Sequence, residues 1–504
     1  MSATITQSQS PPDRVRASRA ARTPNPWLVL VIACLAQFMV VLDASVVNIA
    51  LPSVQRGLHF TAANLQWVVN GYTLIFGGFL LLGGRAADLL GRKRLFVAGV
   101  ILFTAASLLN GVAQSSGMLI VGRGLQGLGG ALVSPAALSI VTTTFTDGEQ
   151  RTKALGVWSA IAAGGAAVGL LMGGVLTDIA SWRWVFFVNT PVGIATIALA
   201  LRYVRESRMD VEHRSYDVAG AVTVTGGLVV LVYAIVKAQA YGWGSARTLG
   251  LGAVAVALLA AFLMIESRAK APLMRLSIFR IRTLAVADAA LLLVASGMFG
   301  MFFFASLYVQ EILGYSPLKA GLAFLPVTVG IIVGAGLAQQ LIKRLGVRVV
   351  SIVGITLASA GMLILTQLPV HGSYVGDLLA GLVPMSLGMG LTFVPITLLG
   401  TSGVKGEDAG LASGLFNTAQ QVGGSLGLAI LSSLAAGQTT SLLHGSGAGS
   451  AIAARVSGYH VAFLAAAIML GIGAVLMTFV LRKSHTEEIE RELAETGAAI
   501  PVAA

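Results

Sequence analysis

Hydrophobic and polar positions in this chain alternate on the scale of whole segments. Fourteen apolar stretches, at about 28–50, 65–84, 95–113, 118–141, 154–177, 184–203, 218–237, 249–266, 283–309, 320–341, 347–367, 376–400, 410–434 and 459–481, are separated by polar breaks. A run of about 18 or more apolar residues is long enough to cross a bilayer as a helix. The pattern therefore predicts an all-α polytopic membrane protein with 14 transmembrane helices. Helix bundles are one of only two structures that satisfy their backbone hydrogen bonds in lipid.

The breaks group the spans. The strongest, 202–217 (RYVRESRMDVEHRSYD) and 267–282 (SRAKAPLMRLSIFRIR), bracket spans 7 and 8 and leave six spans on each side. The expected organisation is a disordered cytoplasmic tail at 1–26, a six-helix bundle at 27–203, and cytoplasmic linkers with two extra transmembrane helices at 204–282. A second six-helix bundle follows at 283–482, then a cytoplasmic tail at 483–504 whose EEIERELAE could form a surface helix. Two faint echoes point to an internal repeat. Loop 2–3 reads GRAADLLGRKR where loop 10–11 reads GLAQQLIKRLGVR, and spans 5 and 13 are both rich in glycine. Two parallel repeats around a midplane site are a common secondary-transporter plan.

Composition sharpens this picture. The 504 residues are 56% hydrophobic and 11% charged, with mean hydropathy +0.84, against roughly 25% charged in soluble domains. The net charge of +12 invites a nucleic-acid reading, which its distribution removes. With a cytoplasmic N-terminus, about 26 of the 33 Lys and Arg fall on inside segments and about 6 outside, the positive-inside asymmetry. Both termini are thus expected in the cytoplasm, and no nucleic-acid partner is. A signal peptide is not expected, since thirteen further spans follow a first run that is already too long. Cys34, the one cysteine, sits in span 1, so there is no intrachain disulfide.

Charges inside spans are expensive and are functional candidates by default. Asp43 lies in VVLDASVVNIALP of span 1 and Arg123 in LIVGRGLQG of span 4, at similar depth in the outer half of the membrane. A buried ion pair is the cheapest way to tolerate both, as a static brace or as a proton-coupling pair. The loop Gly84-x-x-x-Asp88-x-x-Gly91-Arg92-Lys93-Arg94 reads either as a capped positive-inside turn or as a charge latch between the halves. Gly165, Gly169, Gly173 and Gly174 in span 5 have the spacing of a close helix-packing face.

Together these motifs resemble the major facilitator superfamily, specifically its 14-span drug:proton antiporter branch. GRAADLLGRKR is similar to that superfamily's loop 2–3 motif and LIVGRGLQGLGGA to its span 4 motif. LDASVVNIALP, WRWVFFVNTPVG and PLKAGLAFLP resemble stretches of the branch. One departure stands out: Leu170 follows Gly169 where the branch usually has proline, which removes an expected helix bend.

Other polar groups complete the candidates. Asp288 in span 9 is either a proton-coupling carboxylate or a side chain snorkelling to water. Asn417, Gln420, Gln421 and Gly424 share one face of span 13. With Asn48, Gln126, Met301 and Phe303 they include the substrate-cavity candidates Asn48, Gln126, Met301, Phe303, Asn417 and Gln420. None of the six histidines (59, 213, 371, 444, 460, 485) lies deep in a span, and neither metal-ligand spacing nor a catalytic triad is present. The expectation is a non-enzymatic, proton-coupled antiporter of the cytoplasmic membrane, exporting amphipathic drug-like or antibiotic compounds by alternating access. It is expected to act as a monomer with no cofactor, its partners being the bilayer, protons and a small amphipathic substrate. The alternatives are a dedicated exporter of one endogenous metabolite and, less favoured, a solute importer.

Overall fold

A computed structural model describes residues 25–146, 148–208, 217–269, 272–401, 404, 408–444, 451–482, 486–487 and 491. The expected tails at 1–24 and most of 483–504 lie outside the described residues, as does much of the 204–217 linker. Among the described residues there are helices and turns but no strands.

Thirteen helices are long and apolar enough to cross a membrane. We label them α1 (Pro26–Leu58), α2 (Ala62–Leu90), α3 (Arg92–Gly111), α4 (Ser116–Thr144), α5 (Gly148–Ile179), α6 (Trp184–Tyr203), α7 (Val218–Tyr241), α8 (Ala246–Arg268) and α9 (Arg282–Ile312). The next, Pro317–Leu365, has 49 residues, about 74 Å at 1.5 Å per residue and more than twice a bilayer core. It breaks at Gly346, whose φ of 80° and ψ of 161° are not helical. Its arms are α10 (317–345) and α11 (347–365), so fourteen apolar helices lie among the described residues, as the pattern predicts. The series closes with α12 (Tyr374–Thr401), α13 (Gly410–Leu443) and α14 (Ala451–Val480). Between the last two apolar stretches, 435–443 and 451–458 are helical, because α13 and α14 extend past their apolar cores.

Gly346 has a counterpart. Gly91, between α2 and α3, has φ 112°, another backbone state that residues with a Cβ avoid. In both places one glycine turns the chain directly from one span into the next, which gives the loop 2–3 and loop 10–11 echo a physical form.

α1 starts at Pro26, with Asn25 accepting from the Trp27 amide at 3.0 Å as a helix cap. The face where α1 starts also carries Arg92, Lys93, Arg94, Arg151, Lys343 and Arg344; it is called the basic face below, and its opposite the far face. Helices α1–α6 pack among themselves, as do α9–α14. The two sets meet along α2 and α13, where Thr73 and Ser425 share a 2.5 Å hydrogen bond and Thr418 Oγ1 donates to Gly77 O at 3.2 Å. Towards the far face α9 reaches α1: Ser306 Oγ donates to Asn48 O at 2.8 Å and Gln310 Nε2 to Ile49 O at 2.9 Å. There α5 also crosses α10, Gly174 against Gly321, with a Cβ on Gly174 falling 2.7 Å from Pro317 O.

The inserted pair α7–α8 does not stand apart. α7 lies over the α2/α13 seam, with Thr225 against Gly78 and Ser433 Oγ donating to Ile235 O at 3.2 Å. α8 packs on α7 and leaves most of its surface, such as Leu249 and Val256, to lipid.

Candidate functional site

Five helices of the first set converge on Asp43. The side chain is fully buried and Arg123 is 1% exposed. Arg123 Nη1 donates to Asp43 Oδ2, and its Nε donates to Val68 O of α2 at 2.9 Å. Asp43 Oδ1 receives two amides: Gln126 Nε2 from α4 at 2.6 Å and Asn189 Nδ2 from α6 at 2.8 Å. Gln126 Oε1 in turn accepts from Arg123 Nη1 at 2.7 Å and from Asn110 Nδ2 of α3 at 2.8 Å. Ser107 of α3 accepts from Asn189 at 3.0 Å and from Gln126 at 3.2 Å, and donates to Phe186 O at 2.8 Å.

A carboxylate is an acceptor only, and all three groups that meet Asp43 are donors. The arrangement therefore fits the charged form. The guanidinium lies over the Tyr72 ring at 4.5 Å, with Phe186 at 5.8 Å, distances at which a ring face attracts a cation. The Tyr72 hydroxyl has no partner. Breaking a buried pair of this kind by removing one member leaves an uncompensated charge, at a cost of about 3–5 kcal/mol.

A membrane bundle of two packed six-helix sets, with a buried carboxylate–arginine pair in the first, has clear relatives. The Major Facilitator Superfamily model matches residues 33–428. The chain belongs to the major facilitator superfamily. It is 41% identical over 489 residues to the puromycin resistance protein pur8 of Streptomyces alboniger, covering 96% of each chain. It is 39% identical to the cephamycin export protein CmcT of Amycolatopsis lactamdurans, over 92% of this chain and 94% of that one. It is 37% identical to the tetracenomycin C resistance and export protein of Streptomyces glaucescens, over 83% and 79%. Among solved structures, a bacterial homologue of the human lysosomal transporter Spinster matches with TM-score 0.64 and 16% identity, over 92% of this chain and 98% of that one. That likeness bears on the fold alone.

As a major facilitator protein the chain places its other motif residues as follows. Gly165, Gly169 and Gly173 turn one face of α5 onto α1, where Cβ atoms would meet Val41, the Leu42 carbonyl and the Val46 carbonyl; Gly174 turns to α10. Leu170 is 4% exposed in an uninterrupted α5, and its carbonyl faces Gly321. In the loop after α2, Asp88 pairs with Arg92 at 2.8 Å, one turn on. Lys93 Nζ donates to Leu201 O at 2.8 Å, and the Lys93 and Arg94 amides both donate to Glu206 at 3.1 Å. Gly84 packs on Pro135 of α4. Among the described residues, the loop bonds within its own half and to the segment after α6.

Three cavity candidates are enclosed in this conformation. Gln126 is fully buried in the Asp43 network, while Met301 and Phe303 lie in the apolar core of the second helix set, Phe303 against Phe304. Their spans have more than one buried face, and apolar character alone does not distinguish core from cavity. Asn48, Asn417 and Gln420 are half-buried; the first and second bond carbonyls one turn back. Asp288 is 7% exposed and its Oδ1 has no partner. Sequence reasoning missed Ser107, Asn110 and Asn189 as parts of the Asp43 network. The available signal was their polarity in apolar helices, which obliges them to find partners.

Proposed function

We propose that this protein is a proton-driven exporter of amphipathic drug-like or antibiotic compounds. It sits in the cytoplasmic membrane with both termini and the basic face in the cytoplasm. The orientation rests on the positive-inside asymmetry, and the export reading on relatives named for resistance and export. The observation that carries proton coupling is the fully buried Asp43–Arg123 pair, held by donors from α4 and α6. Proton binding at Asp43 neutralises the carboxylate and weakens its hold on Arg123, Gln126 and Asn189, freeing α1, α4 and α6 to repack. Release restores the charge and the arrangement seen here. The α1/α9 and α5/α10 contacts close the far face in this state, so a proton arriving from outside meets Asp43 in the opposite state. The proton gradient is the energy source, no cofactor takes part, and a monomer is sufficient because both halves are in one chain.

Asp43→Asn keeps the shape and removes the titration. Export of a dye or drug from energised vesicles should be lost while the protein remains inserted; wild-type gradient-driven export by this variant would overturn the reading. A second reading, a dedicated exporter of one endogenous compound, is favoured by relatives each named for a single antibiotic. Competition assays across unrelated compounds separate the two.

A further inference from the structure

We propose that Asp288 is a second proton site, occupied by a proton in the conformation seen here while Asp43 is charged; this rests on the proton-driven reading above. The two carboxyl groups sit in opposite circumstances. Asp43 accepts from Arg123, Gln126 and Asn189. Asp288 is also buried, at 7% exposure, yet its Oδ1 has no donor and, among the described residues, no cation pairs with it. Burying a bare carboxylate costs far more than neutralising it, so such a group takes up a proton instead.

Among the described residues, no ion pair reaches Asp288. α9 packs on α1, α12, α13, α14 and the turn Leu276–Arg280. α13 has no ionisable side chain between Gly410 and Leu443. Those of α12 (Tyr374, Asp377) and α14 (Arg455, Tyr459, His460) lie at the far face, and α1 offers Cys34, Asp43 and, at its far end, Arg56. At the basic face Arg275 is committed to Asp408 at 3.2 Å, Arg280 is on the turn, and Arg282 begins α9 six residues, roughly 9 Å, away along the axis.

The position suits the task. Asp288, Ala295, Phe299, Phe302, Ser306 and Gln310 share one face of α9 by helical spacing, and Ser306 and Gln310 bond α1 at the far end of that face. Asp288 lies at the basic end of that face, roughly 27 Å nearer the basic side than Ser306, while Phe299 midway along it packs on Gly424 of α13. Asp43 lies only about 8 Å below Asn48, which Ser306 bonds. The two carboxyl groups thus stand one in each half of the membrane, on different bundles, and the Asp288 proton is the one positioned to leave toward the cytoplasm.

Infrared spectra of the full protein in lipid, wild type against Asp288→Asn, read this directly. The wild type should show a protonated-carboxyl C=O band at mildly acidic pH that Asp288→Asn lacks, and that fades as pH rises. In thermal unfolding the wild type should lose stability as pH rises from the ordinary carboxylate range to the pH at which the folded state releases that proton. Over that window the folded state binds one proton more than the unfolded. Asp288→Asn, a permanent neutral isostere, should lose less. Identical spectra across the pH range, or an equal loss over that window in both proteins, would overturn the proposal. Neither readout uses export, so normal export by Asp43→Asn would refute the proton-driven reading by a separate route.

Discussion

Asn189 donates its amide to Asp43 Oδ1 at 2.8 Å, on the oxygen that Arg123 does not use. The carboxylate is thus held from α6 as well as from α4, and a third helix, α3, supports both amide donors through Ser107 and Asn110. Replacing Asn189 with Leu removes one donor to a buried charge and leaves Ser107 with one fewer partner. A loss of about 1.5–3 kcal/mol is expected for a hydrogen bond to a charged group. It should appear as a lower unfolding temperature together with weaker gradient-driven export, whereas Asn189→Gln should fall between Leu and wild type.

Arg123→Gln should be worse than the double change Asp43→Asn/Arg123→Gln. The single change leaves the Asp43 carboxylate buried with only amide donors, at about 3–5 kcal/mol, while the double change leaves no net charge to bury. A thermal-unfolding double-mutant cycle measures the difference. Additive effects of the two single changes would show that the pair carries no mutual energy.

Gly174 and Gly321 let α5 and α10 meet backbone to backbone at the far face. Gly174→Leu places a side chain where the Pro317 carbonyl and Leu318 Cα already stand, at 2.7 and 3.0 Å from the first added carbon. The far face should then fail to close, and a cysteine placed at Asn48 should react faster with a membrane-impermeant maleimide. Cys34, the one native cysteine, is buried and can be replaced by Ala to keep the background low.

Leu170→Pro restores the residue usual in the resembling branch but places it in an uninterrupted helix. It removes the bond from residue 170 to the carbonyl one turn back and crowds that carbonyl, a cost of about 3 kcal/mol unless α5 kinks. Lower stability, with altered far-face reactivity in the same labelling assay, is expected. An unchanged protein would mean that α5 already tolerates the bend.

Gly91→Ala tests the turn between α2 and α3. Its φ of 112° disfavours a side chain, and the added carbon would lie 2.6 Å from a Glu206 carboxylate oxygen. A cost of about 1–3 kcal/mol is expected from the backbone state, read as reduced stability with Asp43 chemistry unchanged.

How much was legible in advance follows from the kind of information each feature needs. Apolar length sets a span without reference to any neighbour, so the fourteen helices, including the two joined at Gly346, could be read from the chain. The ends could not, because helices such as α13 run beyond their apolar cores into water. Asp43 and Arg123 announced a pairing because a charge in lipid has few tolerable fates. Gln126 was noticed for its place in a motif, but its work inside the Asp43 network depends on rotation about α4, as does the burial of Met301 and Phe303 on α9.

The sequence by itself determined that the chain lives in lipid, how many times it crosses, which side is basic, and that its buried charges had to be answered. Those are consequences of transfer free energy, which each segment carries on its own. Only the tertiary structure added Asn189 and Gln126 to the expected Arg123 around Asp43, and left Asp288 Oδ1 with no partner. That depends on which faces five separate helices turn toward one another, and residues more than a hundred positions apart meet only when the bundle packs.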